Sequence, residues 1–152
     1  MKINETIGID VSKKTVDVFI HSTKCHKVFK NNLSGFTAMS QWIESNSAFN
    51  KEEQLFALEH TGLYSLPLSV YLSDNKKAFV IISGLELKKS LGLVRGKEDK
   101  LDARFIALYA YRRREELIPC KFHSKTILEL RQLLSLRDKL VRQRAGFKLI
   151  YI

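Results

Sequence analysis

Residues 5 to 30 hold three short, mostly apolar runs, Glu5–Val11, Thr15–His21 and Lys24–Lys30, parted only by breaks at Lys13-Lys14 and Ser22-Thr23. Breaks that short leave room for hairpins and little else, which predicts three consecutive antiparallel strands. A different rhythm follows. Ser34 offers a helix cap, and Phe36, Met39, Trp42 and Ile43 recur at spacings of three and four, predicting a helix whose apolar face packs on the sheet. Gln54–Leu58 is a further short apolar run that ends at Glu59 and is broken by His60-Thr61-Gly62. Ser65–Leu72 then predicts a helix with Pro67 in its first turn, where the missing amide hydrogen costs little. Lys77–Ser83, with the continuous run Ala78 to Ile82 inside, fits a buried parallel strand. Strand, helix, strand implies a right-handed crossover, so the reading is an α/β domain with a mixed five-stranded sheet flanked by helices.

After Gly84 the pattern is helical. Leu85–Leu91 predicts a short helix, Gly92–Gly96 a loop, and Asp99–Arg114 a longer helix that Pro119 stops. From Ser124 a last helix carries Ile127, Leu130, Leu133, Leu134, Leu136, Leu140 and Val141 among Arg131, Arg137, Arg142 and Arg144, the pattern of a coiled-coil strand. Such a stripe predicts homodimerisation, a higher homo-oligomer, or packing against the same chain. No C-cap glycine or breaker precedes Ile152, so the helix is expected to be cut short. The expected organisation is a domain over residues 1–115, then a linker and the start of a long dimerisation helix over 116–152.

Charge narrows the function. Of 152 residues, 26 are Lys or Arg and 16 are Asp or Glu, a formal net charge of +10. Residues 1–76 hold eight of each sign, so the surplus lies entirely in the second half. With 45% hydrophobic residues the chain can bury a core, which excludes disorder as the account of the basic half. A polyanion such as DNA or RNA is the expected partner, a solvated lysine-rich surface the alternative. No apolar run is long enough for a membrane helix and the N-terminus lacks a signal peptide's pattern, so a cytoplasmic location is expected. Cys25 and Cys120 have no paired spacing, which argues against a cysteine zinc site.

Four acidic residues carry the chemistry. Strands disfavour aspartate, yet Asp10 closes the run Ile7-Gly8-Ile9, and Glu59 closes Leu55-Phe56-Ala57-Leu58. Ligand sites in open α/β sheets form beyond the carboxyl ends of strands, and the topology allows these two strands to be neighbours. Asp99 and Asp102, three apart, fall on one face at a predicted helix start. Each has an ordinary account too: Asp10 as a turn cap, and the aspartates as first-turn residues favoured by the helix dipole. Together the four oxygen donors would suit hard cations such as magnesium, and a two-metal carboxylate site supports in-line displacement at phosphate.

Three segments, Gly8-Ile9-Asp10-Val11-Ser12-Lys13, Glu59-His60-Thr61-Gly62-Leu63-Tyr64 and Lys97-Glu98-Asp99-Lys100-Leu101-Asp102-Ala103, resemble the three signatures of the DEDD transposases of the IS110 insertion-sequence family. The resemblance runs over about residues 6 to 115 in the expected order, and the third segment is the most specific. Glu98 departs from the family's more frequent Thr, and Ser83-Gly84 from its frequent Asn-Pro; neither is a carboxylate. The resemblance implies a RuvC-like, RNase H-type fold in which Asp10, Glu59, Asp99 and Asp102 bind Mg2+, as two ions. It also implies the N-terminal catalytic domain of a DNA transposase or recombinase in a bacterial or archaeal cell. Magnesium-dependent strand cleavage and transfer would be guided by a structured RNA paired with donor and target DNA. A further domain, reached through the coiled coil, would supply a serine nucleophile.

Other residues have paired readings. Lys13 and Ser12 suit a phosphate, or merely a polar turn; Thr61-Gly62 permits close backbone approach to a phosphate, or helix capping. His60 is a proton-transfer candidate or an exposed loop residue, while His21, His26 and His123 have no ligand spacing. Lys88, Lys89, Arg95, Lys97, Lys100 and Arg104 suit a nucleic-acid backbone or a solvated helical face. Arg112 and Arg113, with Tyr109 and Tyr111 for stacking, suggest a second contact. Rival functions are a standalone RuvC-like junction-resolving endonuclease and a non-catalytic RNA- or DNA-binding dimerisation module. An actin-like or sugar-kinase ATPase would need two lobes and glycine-rich nucleotide loops, which 152 residues with seven glycines do not provide.

Overall fold

The three hairpin strands form as β1 (Glu5–Val11), β2 (Thr15–Ile20) and β3 (His26–Lys30) in the computed structural model, which describes residues 2–90, 102–120 and 125–150. β3 starts two residues later than expected because Lys24 takes a left-handed conformation (φ 58°) in the turn. α1 (Leu33–Asn46) follows, then β4 (Gln54–Glu59), α2 (Leu66–Asp74), β5 (Phe79–Ile82), α3 (Gly84–Ser90) and α4 (Ala103–Arg112). The strand order is β3-β2-β1-β4-β5. β1 is antiparallel to β2 and parallel to β4, and β4 is parallel to β5, so the mixed five-stranded sheet of the sequence reading is present and is RNase H-like.

Alternation along β1 sorts the two faces. Ile7, Ile9 and Val11 are buried on one, shared through the strand registers with Phe29 of β3, whose ring meets Trp42 of α1 at 5.6 Å. Thr6, Gly8 and Asp10 share the other face, and α4 lies on it. Thr6 Oγ1 donates to the Ala107 carbonyl at 2.9 Å, and Gly8 lies against the backbone of Ala103 and Ala107. α4 therefore runs antiparallel to β1, with its N-terminus at the end where β1 finishes.

Some helix starts differ from expectation. Asn32, not Ser34, caps α1: its side chain accepts from the Gly35 N–H at 2.9 Å, and Ser34 donates to Asn32 instead. α4 begins at Ala103 with Asp102 as its cap. The expected loop at Gly92–Gly96, and Asp99 in the expected first turn, lie outside the described residues. Residues up to Cys120 make one compact unit, and α5 (Lys125–Ile150) belongs to a second. On α5, Leu133, Leu134, Leu136, Leu140 and Val141 are each more than half exposed. Among the described residues no helix is long and apolar enough to cross a membrane.

Candidate active site

Parallel pairing of β1 with β4 aligns Gly8 with Ala57 and Ile9 with Leu58, which brings Asp10 and Glu59, the next residue on each strand, to adjoining carboxyl ends. Glu59 is partly buried there, and its carboxyl group is pushed above the ordinary 4.5 first by burial and then by the negative charge of Asp10, with Lys88 acting in the opposite direction. The negative charge of Asp10 thus adds to burial in opposing ionisation of Glu59. Gly84, first residue of α3, lies against the Glu59 carboxylate: a Cβ there would stand 2.5 Å from Glu59 Oε1.

Asp102 arrives from the third direction. The bare backbone of Gly8 lets the first turn of α4 settle onto β1, and the cap sits at the same end as Asp10. Asp102 Oδ1 accepts from the Phe105 N–H at 2.8 Å, which spends one carboxylate oxygen on the helix and leaves lone pairs on the second. Asp10 and Asp102 both line a cleft of about 350 Å³, with Phe19, Ala103 and Arg104 among its other walls. Among the described residues no three His, Cys, Asp or Glu side chains group as a metal site; Asp99, the remaining member of the expected tetrad, lies outside them.

The expected cations are dispersed. Arg104 lines the carboxylate cleft. Lys88 and Lys89 are exposed on α3, Lys13 is exposed in the β1–β2 turn, and Arg95, Lys97 and Lys100 lie outside the described residues. The ten residues of α4 carry Arg112 about 15 Å along the helix from Asp102. Arg113, half exposed, has partners of its own on the surface: it pairs with Glu86 at 3.7 Å and donates to the Tyr109 hydroxyl at 3.2 Å. Nor are the tyrosines open for stacking. Tyr109 is buried, and the Tyr111 ring is stacked on His21 at 4.1 Å with Arg114 over it at 4.2 Å. Thr61 differs again, its hydroxyl being buried without a hydrogen-bond partner two residues past Glu59.

Two residues beside the carboxylates escaped the sequence reading. Asp17 is the cross-strand partner of Asp10, and His26 Nε2 meets Asp17 Oδ1 at 3.1 Å, both on the cleft wall. The only signal for Asp17 was hairpin register, which follows from the Ser12–Thr15 turn once its hydrogen bond at 2.9 Å is known. His26 has no local signal, because the β2–β3 register alone carries it to Asp17.

A family model described as transposase, of DEDD and IS110 type, matches residues 7–149. The chain is also similar to the pilin gene-inverting proteins of Moraxella lacunata and Moraxella bovis, each 33% identical over 142 residues, which is 90% of this chain. That match covers 43% of either relative, so the chain spans less than half of their length. With carboxylates at adjoining strand ends on an RNase H-like sheet and a family match over nearly its whole length, the chain belongs to the IS110-type DEDD transposases.

Proposed function

We propose that this chain is the N-terminal catalytic domain of a DNA transposase or recombinase, acting in magnesium-dependent cleavage and transfer of DNA strands. The observation that carries the reading is the placing of Asp10 and Glu59 at adjoining strand ends, where burial and the charge of Asp10 raise the Glu59 pKa and a shared cation would offset both. The donor chemistry suits Mg2+: Asp10, Glu59 and Asp102 each offer hard carboxylate oxygens, and Asp99 would add a fourth carboxylate. When bound, the ions would supply charge neutralisation at the phosphate and an activated attacking oxygen. The chain's own residues would position those oxygens. Asp10 and Glu59 are set by strand pairing, Asp102 by its cap on α4, and Gly84 leaves space for the Glu59 carboxylate.

Relatives named for inverting a pilin gene support recombination, since inverting a gene breaks and rejoins DNA phosphodiesters. DNA, and a structured guide RNA, would lie along Arg104, Lys88, Lys89, Lys13 and Thr61, and Arg95, Lys97 and Lys100, near Asp99 in sequence, would add further contacts. The exposed leucines of α5 support self-association as a homodimer, and a serine-bearing domain would complete strand exchange. Asp10→Ala in the intact protein is expected to abolish recombination while leaving the circular-dichroism spectrum unchanged. Recombination at the parent rate would overturn the assignment. Magnesium-dependent cutting of branched DNA by this chain alone would favour the junction-resolving endonuclease instead.

A further inference from the structure

Pairing between β1 and β4 stops at Ile9 and Leu58. Asp10 and Glu59 are each held on the outer side, by Asp17 of β2 and Ile82 of β5, but the ladder between their own strands ends one step short of both. Their separation therefore depends on what ties together the segments that follow. Asn31, in the link between β3 and α1, makes that tie. Its backbone N–H donates to the Lys14 carbonyl at 2.9 Å, anchoring it to the β1–β2 turn. Its side-chain Nδ2 donates to the Ser12 carbonyl at 2.8 Å and to the Tyr64 carbonyl at 3.0 Å. Ser12 lies two residues past Asp10, and Tyr64 five past Glu59.

A primary amide carries two N–H bonds on one nitrogen, and here each goes to a different loop. The Ser12 side of the staple is firm, because Ser12 Oγ also bonds the Thr15 carbonyl and amide, each at 3.1 Å. A hydroxyl at position 31 would offer a single donor, and an alanine none. We infer that Asn31 is a positioning residue of the carboxylate site: by stapling the loop after Asp10 to the loop after Glu59, it sets the gap across which the two carboxylates share a cation. The inference rests on the metal-binding reading above and extends it to a residue outside the four acids.

The test is Mn2+ affinity, measured by titration calorimetry on the intact protein and on its Asn31→Ala, Asn31→Ser, Asp10→Asn and Tyr71→Phe variants, with a thermal melt of each. Asn31→Ala is expected to weaken Mn2+ roughly ten- to a hundredfold, the usual range for residues that orient ligands without touching the metal. Asn31→Ser, which keeps one donor and carries the test should the alanine variant not fold, is expected to show a smaller loss in the same direction. In strand cleavage the Mn2+ concentration for half-maximal rate rises by the same factor, while the rate at saturation recovers. Tyr71→Phe removes a remote hydrogen bond, from Tyr71 to Ser40 at 3.1 Å, and should lower the melting point without moving the affinity. Parent affinity in the folded Asn31 variants, with binding lost in Asp10→Asn, overturns the role of Asn31 alone. Parent affinity in Asp10→Asn overturns the metal site itself.

Discussion

Gly8 lies directly against the backbone of Ala103: a Cβ at position 8 would overlap the Ala103 carbonyl oxygen and the Ala107 amide nitrogen, and would stand 2.8 Å from the Ala107 methyl carbon. Backbone atoms of a packed helix cannot step aside as a side-chain tip can. The closeness is what seats Asp102 at the end of β1, so one missing methyl group connects strand chemistry to the geometry of the cleft.

Gly8→Ala is accordingly expected to cost about 1–3 kcal/mol or more, the range for overpacking a filled interior. α4 must lift from β1, and Thr6 then loses its bond to the Ala107 carbonyl. Urea unfolding of the variant measures the loss, and strand-cleavage activity should fall with it even at temperatures where the protein stays folded.

Gly84→Ala should behave in the opposite way. The atom it would meet is the Glu59 carboxylate at 2.5 Å, the flexible end of a side chain, and alanine is the better helix former by up to about 1 kcal/mol. Stability is expected to hold or rise slightly while activity drops, because the displaced group is Glu59. Paired melting and cleavage measurements distinguish this from a folding defect.

The raised pKa of Glu59 gives a pH signature. The folded chain holds that proton more tightly than the unfolded chain, so the folded state loses stability as pH rises from about 4.5 through the raised value. Glu59→Gln removes the titration. The variant is expected to melt higher than the parent near neutral pH in the presence of a chelator, with the difference vanishing at about pH 4, below both values. A difference of the same size at both pH values would exclude the raised pKa of Glu59, set first by burial and then by Asp10, as its cause.

Arg104 and Arg113 should separate binding from folding. Arg104 lines the cleft with Asp10 and Asp102, whereas Arg113 is held by Glu86 and Tyr109. Arg104→Ala is expected to weaken DNA binding and to reduce the slope of log affinity against log salt by about 0.9, one phosphate contact. Arg113→Ala should leave that slope unchanged and lower the melting point instead. Fluorescence anisotropy at several salt concentrations reads both.

Much of the fold was legible because its signals are local. The short breaks after β1 and β2, the period of α1 and the apolar run of β5 each rest on residues near one another in the chain, and backbone sterics act at that range. The strand-end positions of Asp10 and Glu59 were legible in the same way, as acids closing apolar runs. Cap identity was less so. Asn32 and Ser34 are both good caps by residue type, and only the path of the chain out of β3 decided that Asn32 bonds Gly35.

By itself the sequence determined the strands and helices, their order, and which acids stand at strand ends, since periodicity and turn chemistry are written in neighbouring residues. Tertiary structure alone decided what surrounds those acids. Thr6 meets Ala107 across 101 positions, Asn31 reaches Tyr64 across 33, Arg113 pairs with Glu86, and the Tyr111 ring stacks on His21. Such contacts arise when a sheet brings distant loops to one edge. Register and close packing, which no local pattern encodes, then choose the partners.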